Sequence, residues 1–212
     1  AYTNERQISI GKGTGNNATG VDNIALGLRS GAFVSGANNV AIGREAGMGT
    51  DAQKLSVTST VAIGEAAKGS SNNTVAIGKT ALAEKESAVA VGTLSKASGD
   101  NSVAIGKTAN ALGIKAVALG VDSVAVNEKD VALGSGSVTE AHHNGDYTLN
   151  SNYIAAGTSS QGTVSVGKVD ATTPANNFTR QIQNVSAGVI SATSTAAING
   201  SQIYATNSHM LN

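Results

Sequence analysis

His142 and His143, with Asp146 shortly after them, are the residues whose types come nearest to a metal site. Neighbouring side chains point to opposite sides of a strand and share no helix face. Joint coordination would need a contorted loop, so the pair reads as solvated loop and no metal is assigned. Serines are plentiful, but none sits in a Gly-x-Ser-x-Gly elbow, and a Ser-His-Asp triad cannot be read from abundance. Cysteine is absent, which excludes disulfides and thiolate ligands. No catalytic centre, cofactor or metal is expected. Tyr147 and Tyr153 are candidate contact residues, as aromatics often are at interfaces. Packing onto the rest of the chain is the alternative for both.

The elements around these residues repeat. A β-branched–small–aliphatic–Gly pattern closes at Gly11, Gly27, Gly43, Gly64, Gly78, Gly92, Gly106, Gly120 and Gly134. The intervals are 16, 16 and 21 residues, then a constant 14. A fixed period means one small unit stacked on copies of itself. In the clean unit Val75-Ala76-Ile77 alternates as a strand does, and Gly78 ends it. Ala81-Leu82-Ala83 reads as a second short strand, and Glu84-Lys85-Glu86-Ser87 as a turn. Fourteen residues leave room for two strands and two turns, and stacked coils pair strand on strand in parallel.

Alternation places Val75 and Ile77 on one side and Ala76 on the other. The expectation is that the large pair fills the interior of a flat roll. The Ala side then faces another protein surface, and the recurrent glycines take left-handed turn positions. The long early coils, including residues 44–59, carry loops of the kind that serve recognition or are simply tolerated. After Gly134 the phase lapses over residues 140–161, and Val164-Ser165-Val166-Gly167 repeats the strand motif once. Further on, Ala196, Ile203 and Met210 are seven apart, as are Ala197, Tyr204 and Leu211, which opens a heptad seam. Ser194 or Thr195 is the expected helix cap. Gly200, expected inside the helix, marks a close contact, because glycine there is about 1 kcal/mol less favourable than Ala.

Composition agrees with stacking. The chain of 212 residues has 26 Gly, one Pro, no Trp, four Tyr and two Phe. Its core must be built from Val, Ile, Leu and Ala. Fourteen basic residues balance fourteen acidic ones, so no field steers it to nucleic acid or an anionic membrane. No apolar run approaches bilayer length and no signal peptide is evident, so work outside a cell would require targeting and anchoring parts beyond this segment. Other solenoids fit poorly: calcium-binding Gly-Gly-x-Gly-x-Asp repeats are missing, hexapeptide coils call for multiples of six, and no Thr ladder recurs in every coil.

Asn101-Ser102-Val103-Ala104-Ile105-Gly106-Lys107-Thr108-Ala109 and Asn73-Thr74-Val75-Ala76-Ile77-Gly78-Lys79-Thr80-Ala81 resemble the head repeat of the YadA-like trimeric autotransporter adhesins of Gram-negative bacteria. Arg180-Gln181-Ile182-Gln183-Asn184-Val185-Ser186-Ala187-Gly188 and Ser194-Thr195-Ala196-Ala197-Ile198-Asn199-Gly200-Ser201-Gln202-Ile203-Tyr204 resemble the two halves of that family's neck. The neck commonly carries Asp where Ala196 stands, and residues 140–161 have no evident counterpart.

The resemblance implies an all-β solenoid: a left-handed parallel β-roll of 14-residue coils, homotrimeric, followed by a short helical neck and the onset of a coiled coil. Residues 1–139 would be the head, 140–163 an insert loop, and 164–212 the last head strand and neck. The implied role is non-catalytic, polyvalent attachment at the bacterial surface. Its partner would be a host matrix or cell-surface protein of the collagen, fibronectin or laminin class, or other bacteria. The outer membrane would be reached only through a C-terminal β-barrel anchor absent from this sequence. A structural spacer is the alternative. Candidate ligand-binding residues are Asn73, Lys79, Thr80, Asn101, Lys107, Thr108, Tyr147 and Tyr153. Candidate neck and trimerisation residues are Gln181, Ile182, Asn184, Val185, Gly188, Ile198, Asn199, Gly200, Gln202 and Ile203.

Overall fold

The computed structural model describes residues 6–142, 148–150, 153–154, 156–157 and 160–210. The chain forms two compact units: Ala1–Ala141 with Gly162–Phe178, and His142–Gln161 with Thr179–Asn212. In the first unit every repeat supplies one strand to a ten-stranded parallel sheet. Its strands run Ile8–Ile10, Ile24–Leu26, Val40–Ile42, Val61–Ile63, Val75–Ile77, Val89–Val91, Val103–Ile105, Val117–Leu119, Val131–Leu133 and Val164–Ser165. Like sits beside like: Val75, Val89 and Val103 share one row, and Ala76, Ala90 and Ala104 the next. Nine steps of about 4.8 Å separate the terminal strands of this sheet by about 43 Å. The strands Lys68–Gly69, Leu82–Ala83, Lys96–Ala97, Asn110–Ala111 and Val124–Ala125 build a second parallel sheet of five.

The interior is the reverse of the expected one. The alanine between the aliphatic pair is buried in coil after coil, from Ala76 and Ala90 to Ala132, while the flanking Val, Ile and Leu are half-buried or exposed. Each regular coil points four side chains inward. In the coil beginning at Thr74 they are Thr74, Ala76, Ala81 and Ala83; in the next they are Ala88, Ala90, Ser95 and Ala97. The set stays Ala, Ser or Thr until Asp130. Fourteen residues divided between two strands and two turns draw the sheets so close that only methyl-sized groups fit between them. Interiors are filled to crystal-like density, so side-chain size follows sheet spacing. The longer early coils admit larger inward groups, among them Val34, Asn39 and Val57. Asn39 is bonded at both ends of its amide there. Its Oδ1 accepts from the Thr60 amide (3.0 Å) and hydroxyl (2.8 Å), and its Nδ2 donates to the Val57 carbonyl (2.9 Å).

The strand-closing glycines take positive φ, and a second set of left-handed positions is not glycine. These recur every seven residues as Ser59, Ala66, Asn73, Thr80, Ser87, Leu94, Asn101, Thr108, Lys115, Asp122 and Lys129, with φ between 53° and 61°. Non-glycine residues adopt this region at some cost. Here each of these turns donates its amide to the preceding coil, as Thr80 does to Glu65 (2.8 Å) and Asn101 to Glu86 (2.9 Å). The strand-closing glycines have a wider φ, +133° at Gly92. A Cβ at Gly92 would lie 2.4 Å from the Gly106 carbonyl oxygen of the next coil. Close backbone approach therefore demands glycine there as much as φ does.

At the far end of the roll the chain leaves after Thr139 and returns at Thr163. Asp130, fully buried, holds both sides of this excursion. Its Oδ2 accepts from the Asn127 amide (3.0 Å) and Nδ2 (2.9 Å), and its Oδ1 from the Thr163 amide (2.8 Å). Val131 donates to the Thr163 carbonyl (2.7 Å), and Val164 enters the sheet opposite Val131. Burial alone would raise the Asp130 carboxyl. Hydrogen bonds from Thr139, from the Thr163 and Asn127 amides and from the Asn127 side chain outweigh it and hold the group below its ordinary value. A lowered folded-state value means this stabilisation is complete above the unfolded-chain value of about 3.9 and is lost as pH falls through the folded value. Asp130→Asn should therefore lower stability at pH 7 by about 2–3 kcal/mol, because buried amide donors lose a charged acceptor. The gap to the native chain should close below about pH 4. Urea melts of both proteins from pH 7 to pH 2 check this; a gap that does not change with pH contradicts it.

In the second unit, Thr148–Asn150 pairs antiparallel with Tyr153–Ile154, and a helix, α1, spans Gly200–Met210. Its cap is Asn199 rather than Ser194 or Thr195. Asn199 Oδ1 accepts from the Gln202 amide (3.3 Å), and Gln202 Oε1 accepts from the Asn199 amide (3.1 Å). This reciprocal pair is a capping box. Gly200 is thus the first helical residue, not an interior one, and the space where its Cβ would stand is open to 4 Å. The expected interior penalty and close contact do not apply within the chain. Ala196 and Ala197 precede α1, so the helical part of the seam begins at Ile203 and Tyr204; Leu211 lies outside the described residues. No helix among the described residues is long and apolar enough to cross a membrane.

Candidate interaction surfaces

The candidate ligand-binding residues of the repeats lie in ladders, not in a pocket. Asn73 and Asn101 precede a first-sheet strand and Lys79, Thr80, Lys107 and Thr108 follow one, so the two groups occupy opposite edges of the roll. Along either edge the matching residues of the two coils are two rungs apart, about 10 Å. Their side chains are partly engaged. Lys79 Nζ pairs with Glu65 at 3.2 Å, and Arg44 also binds Glu65. The hydrogen bond from Arg44, then that from Lys79, holds the Glu65 carboxyl below its usual range. Thr80 Oγ1 donates to the Lys79 carbonyl at 2.7 Å, and the Thr108 hydroxyl bonds the Lys107 carbonyl (2.6 Å) and Asp122. Asn73, Asn101 and Lys107 remain exposed. Tyr153 lies in the antiparallel hairpin. Tyr147, His143 and Asp146 lie outside the described residues.

The neck candidates fall into two sets. Asn199 Nδ2 donates to the Val185 carbonyl (2.9 Å). Gln202 grips Gly188 on both sides: Nε2 donates to its carbonyl (2.6 Å) and Oε1 accepts from its amide (3.0 Å). A Cβ on Gly188 would lie 2.2 Å from the Ala197 carbonyl oxygen. Asn184 takes a left-handed turn at φ 59°. The second set, Ile182, Ile198 and Ile203, is exposed within the single chain, as is Gln181.

Two further surfaces stand out. The outer face of the ten-stranded sheet is a continuous aliphatic stripe, exposed at Ile8, Ile10, Ile105, Leu119, Leu133 and Val164. Apolar patches of this extent on a soluble surface mark interaction sites. The Val-Ala-Ile alternation carries the signal, but it is the Ala side that forms the core and the aliphatic side that faces outward. The second surface is a groove beside residues 50–56, within the long early loop that the sequence marks for recognition or tolerated insertion.

A family model for the YadA head domain repeat matches this chain twice, over residues 83–109 and 111–137. Residues 83–109 and 111–137 thus match YadA head repeats, and they lie within the stacked parallel solenoid. Among solved structures it resembles the C-terminal YadA-like domain of a Burkholderia pseudomallei protein at 47% identity, over 48% of this chain and 46% of that one, with a TM-score of 0.41. It also resembles the collagen-binding domain of the Yersinia adhesin YadA at 19% identity, over 95% of this chain and 97% of that one, with a TM-score of 0.48. The first match thus spans less than half of the Burkholderia chain. No curated protein matches the chain.

Proposed function

We propose that this chain is the head and neck of a surface adhesin that works as a parallel homotrimer and attaches to fibrous matrix protein without catalysis. The observation that carries the reading is the aliphatic outer face of a sheet whose coils over residues 83–137 match the YadA head repeat. A lone chain leaves this face in water, and copies related by symmetry cover it with one another. Three heads then present each ladder three times per level, and weak contacts at many rungs sum through effective concentration. A Gram-negative cell surface is the place where such a head acts.

The experiment is sedimentation of the purified chain followed by binding to immobilised collagen, fibronectin and laminin. The expected result is a trimer at micromolar concentration that retains at least one of these ligands. A monomer overturns the reading. A trimer that binds none of them leaves the spacer role in its place.

A further inference from the structure

We infer that the groove beside residues 50–56 is a binding site for the sulfate groups of an anionic glycan, separate from the matrix-protein surface proposed above. Its origin is the 21-residue interval between Gly43 and Gly64, where the regular coil has 14. The extra residues shift the second strand of that coil. Leu55–Ser56 pairs back to Val34–Ser35, while Lys68–Gly69 pairs forward to Leu82–Ala83. No ladder joins the two pairs, so the second sheet is interrupted at this one level. The interruption opens a groove of about 310 Å³ lined by Thr50, Gln53, Lys54, Leu55, Ser56, Lys68 and Ser70. That is the low end of the size range of small-molecule sites.

The lining is rich in donors and poor in everything else. Lys54 and Lys68 both face it, no carboxylate lines it, and neither lysine forms an ion pair among the described residues. Some cations elsewhere on the roll are neutralised by carboxylates one coil away, as Arg29 is by Glu45 and Arg44 by Glu65. Thr50 is spent on its own turn, where its Oγ1 accepts from the Gln53 amide at 3.0 Å, and this fixes one wall. The Gln53 amide group and the Ser56 and Ser70 hydroxyls line the groove beside the two ammonium groups. Leu55 is its single apolar residue, so an apolar peptide has almost nothing to bury there. A polyhydroxylated chain bearing sulfates matches two point charges set among neutral hydrogen-bonding groups, because charge-assisted bonds to an anion are the strong ones.

The test uses the full chain on a heparin-coated sensor at near-physiological salt. The double variant Lys54→Gln/Lys68→Gln is compared with Lys85→Gln/Lys115→Gln, which removes the same charge from turns elsewhere. The native chain is expected to bind heparin and not desulfated heparin. The first variant should bind at least tenfold more weakly, the second within twofold of native, and both should melt as the native chain does. Equal losses in the two variants, equal binding of desulfated heparin, or no binding by the native chain each overturn the inference. Collagen, fibronectin and laminin binding measured on the same variants should stay unchanged, so the two proposals fail separately.

Discussion

Replacing Ala104 by leucine is expected to unfold the coils on either side of it. Ala104 is fully buried, stacked between Ala90 and Ala118 in the sheet and surrounded by an all-alanine cluster that includes Ala109 and Ala111. Inserting methylenes into a packed core typically costs about 1–3 kcal/mol, through off-rotamer side chains and backbone shifts. The cost here should reach or exceed the top of that range. Neither sheet can move outward without breaking the hydrogen-bond ladder to the coils above and below. Ile105→Leu, one residue along and exposed, is the control and should stay within about 0.5 kcal/mol of native, as surface changes do. Thermal or urea unfolding decides. If Ala104→Leu is mild and the change at Ile105 severe, the assignment of faces is wrong.

The second large effect is on assembly. Ile105→Asp with Leu119→Asp places two carboxylates on exposed positions of the aliphatic stripe. Each chain should still fold, because neither side chain is in the core. The proposed trimer should not survive, since three copies would bring like charges together in a desolvated seam. Sedimentation should show monomers at concentrations where the native chain is trimeric. Apparent affinity for an immobilised matrix ligand should fall by about 100-fold or more, the size of effect that multivalency supplies. A variant that remains trimeric would move the interface away from the stripe and leave these side chains to another role.

Both variants turn on a question that alternation leaves open. Val-Ala-Ile states that Val and Ile share one side and Ala takes the other. Which side is inside depends on how far apart the sheets stand. The usual expectation puts bulky aliphatics in the core, and it fails here because a 14-residue coil has no width for them. A second sign was visible: the inward positions of the weaker strands, Ala83, Ala97, Ala111 and Ala125, are alanine too. A core made of Val on one wall would have faced only methyls on the other. The helix cap shows a related limit. Asn199 followed by Gln202 is a readable capping box, but Ser194 and Thr195 satisfy the same preference for a cap. The choice came from Gln202 also holding Gly188, a contact across 14 residues of sequence.

The sequence by itself determined the repeat, its period, the parallel in-register pairing and the two-strand coil, because all of these are local and recur at a fixed phase. It also marked where the regular stack lapses, after Gly134, and where the strand motif returns, at Val164. Only the tertiary structure decided that alanine is the core and the aliphatic pair the outer surface. The same is true of the buried carboxylate of Asp130 holding both ends of the excursion, and of the over-long coil parting the second sheet around two lysines. The reason is physical. Periodicity fixes which residues share a face, whereas the distance between faces is set by the closure of whole coils and is not encoded at any single position.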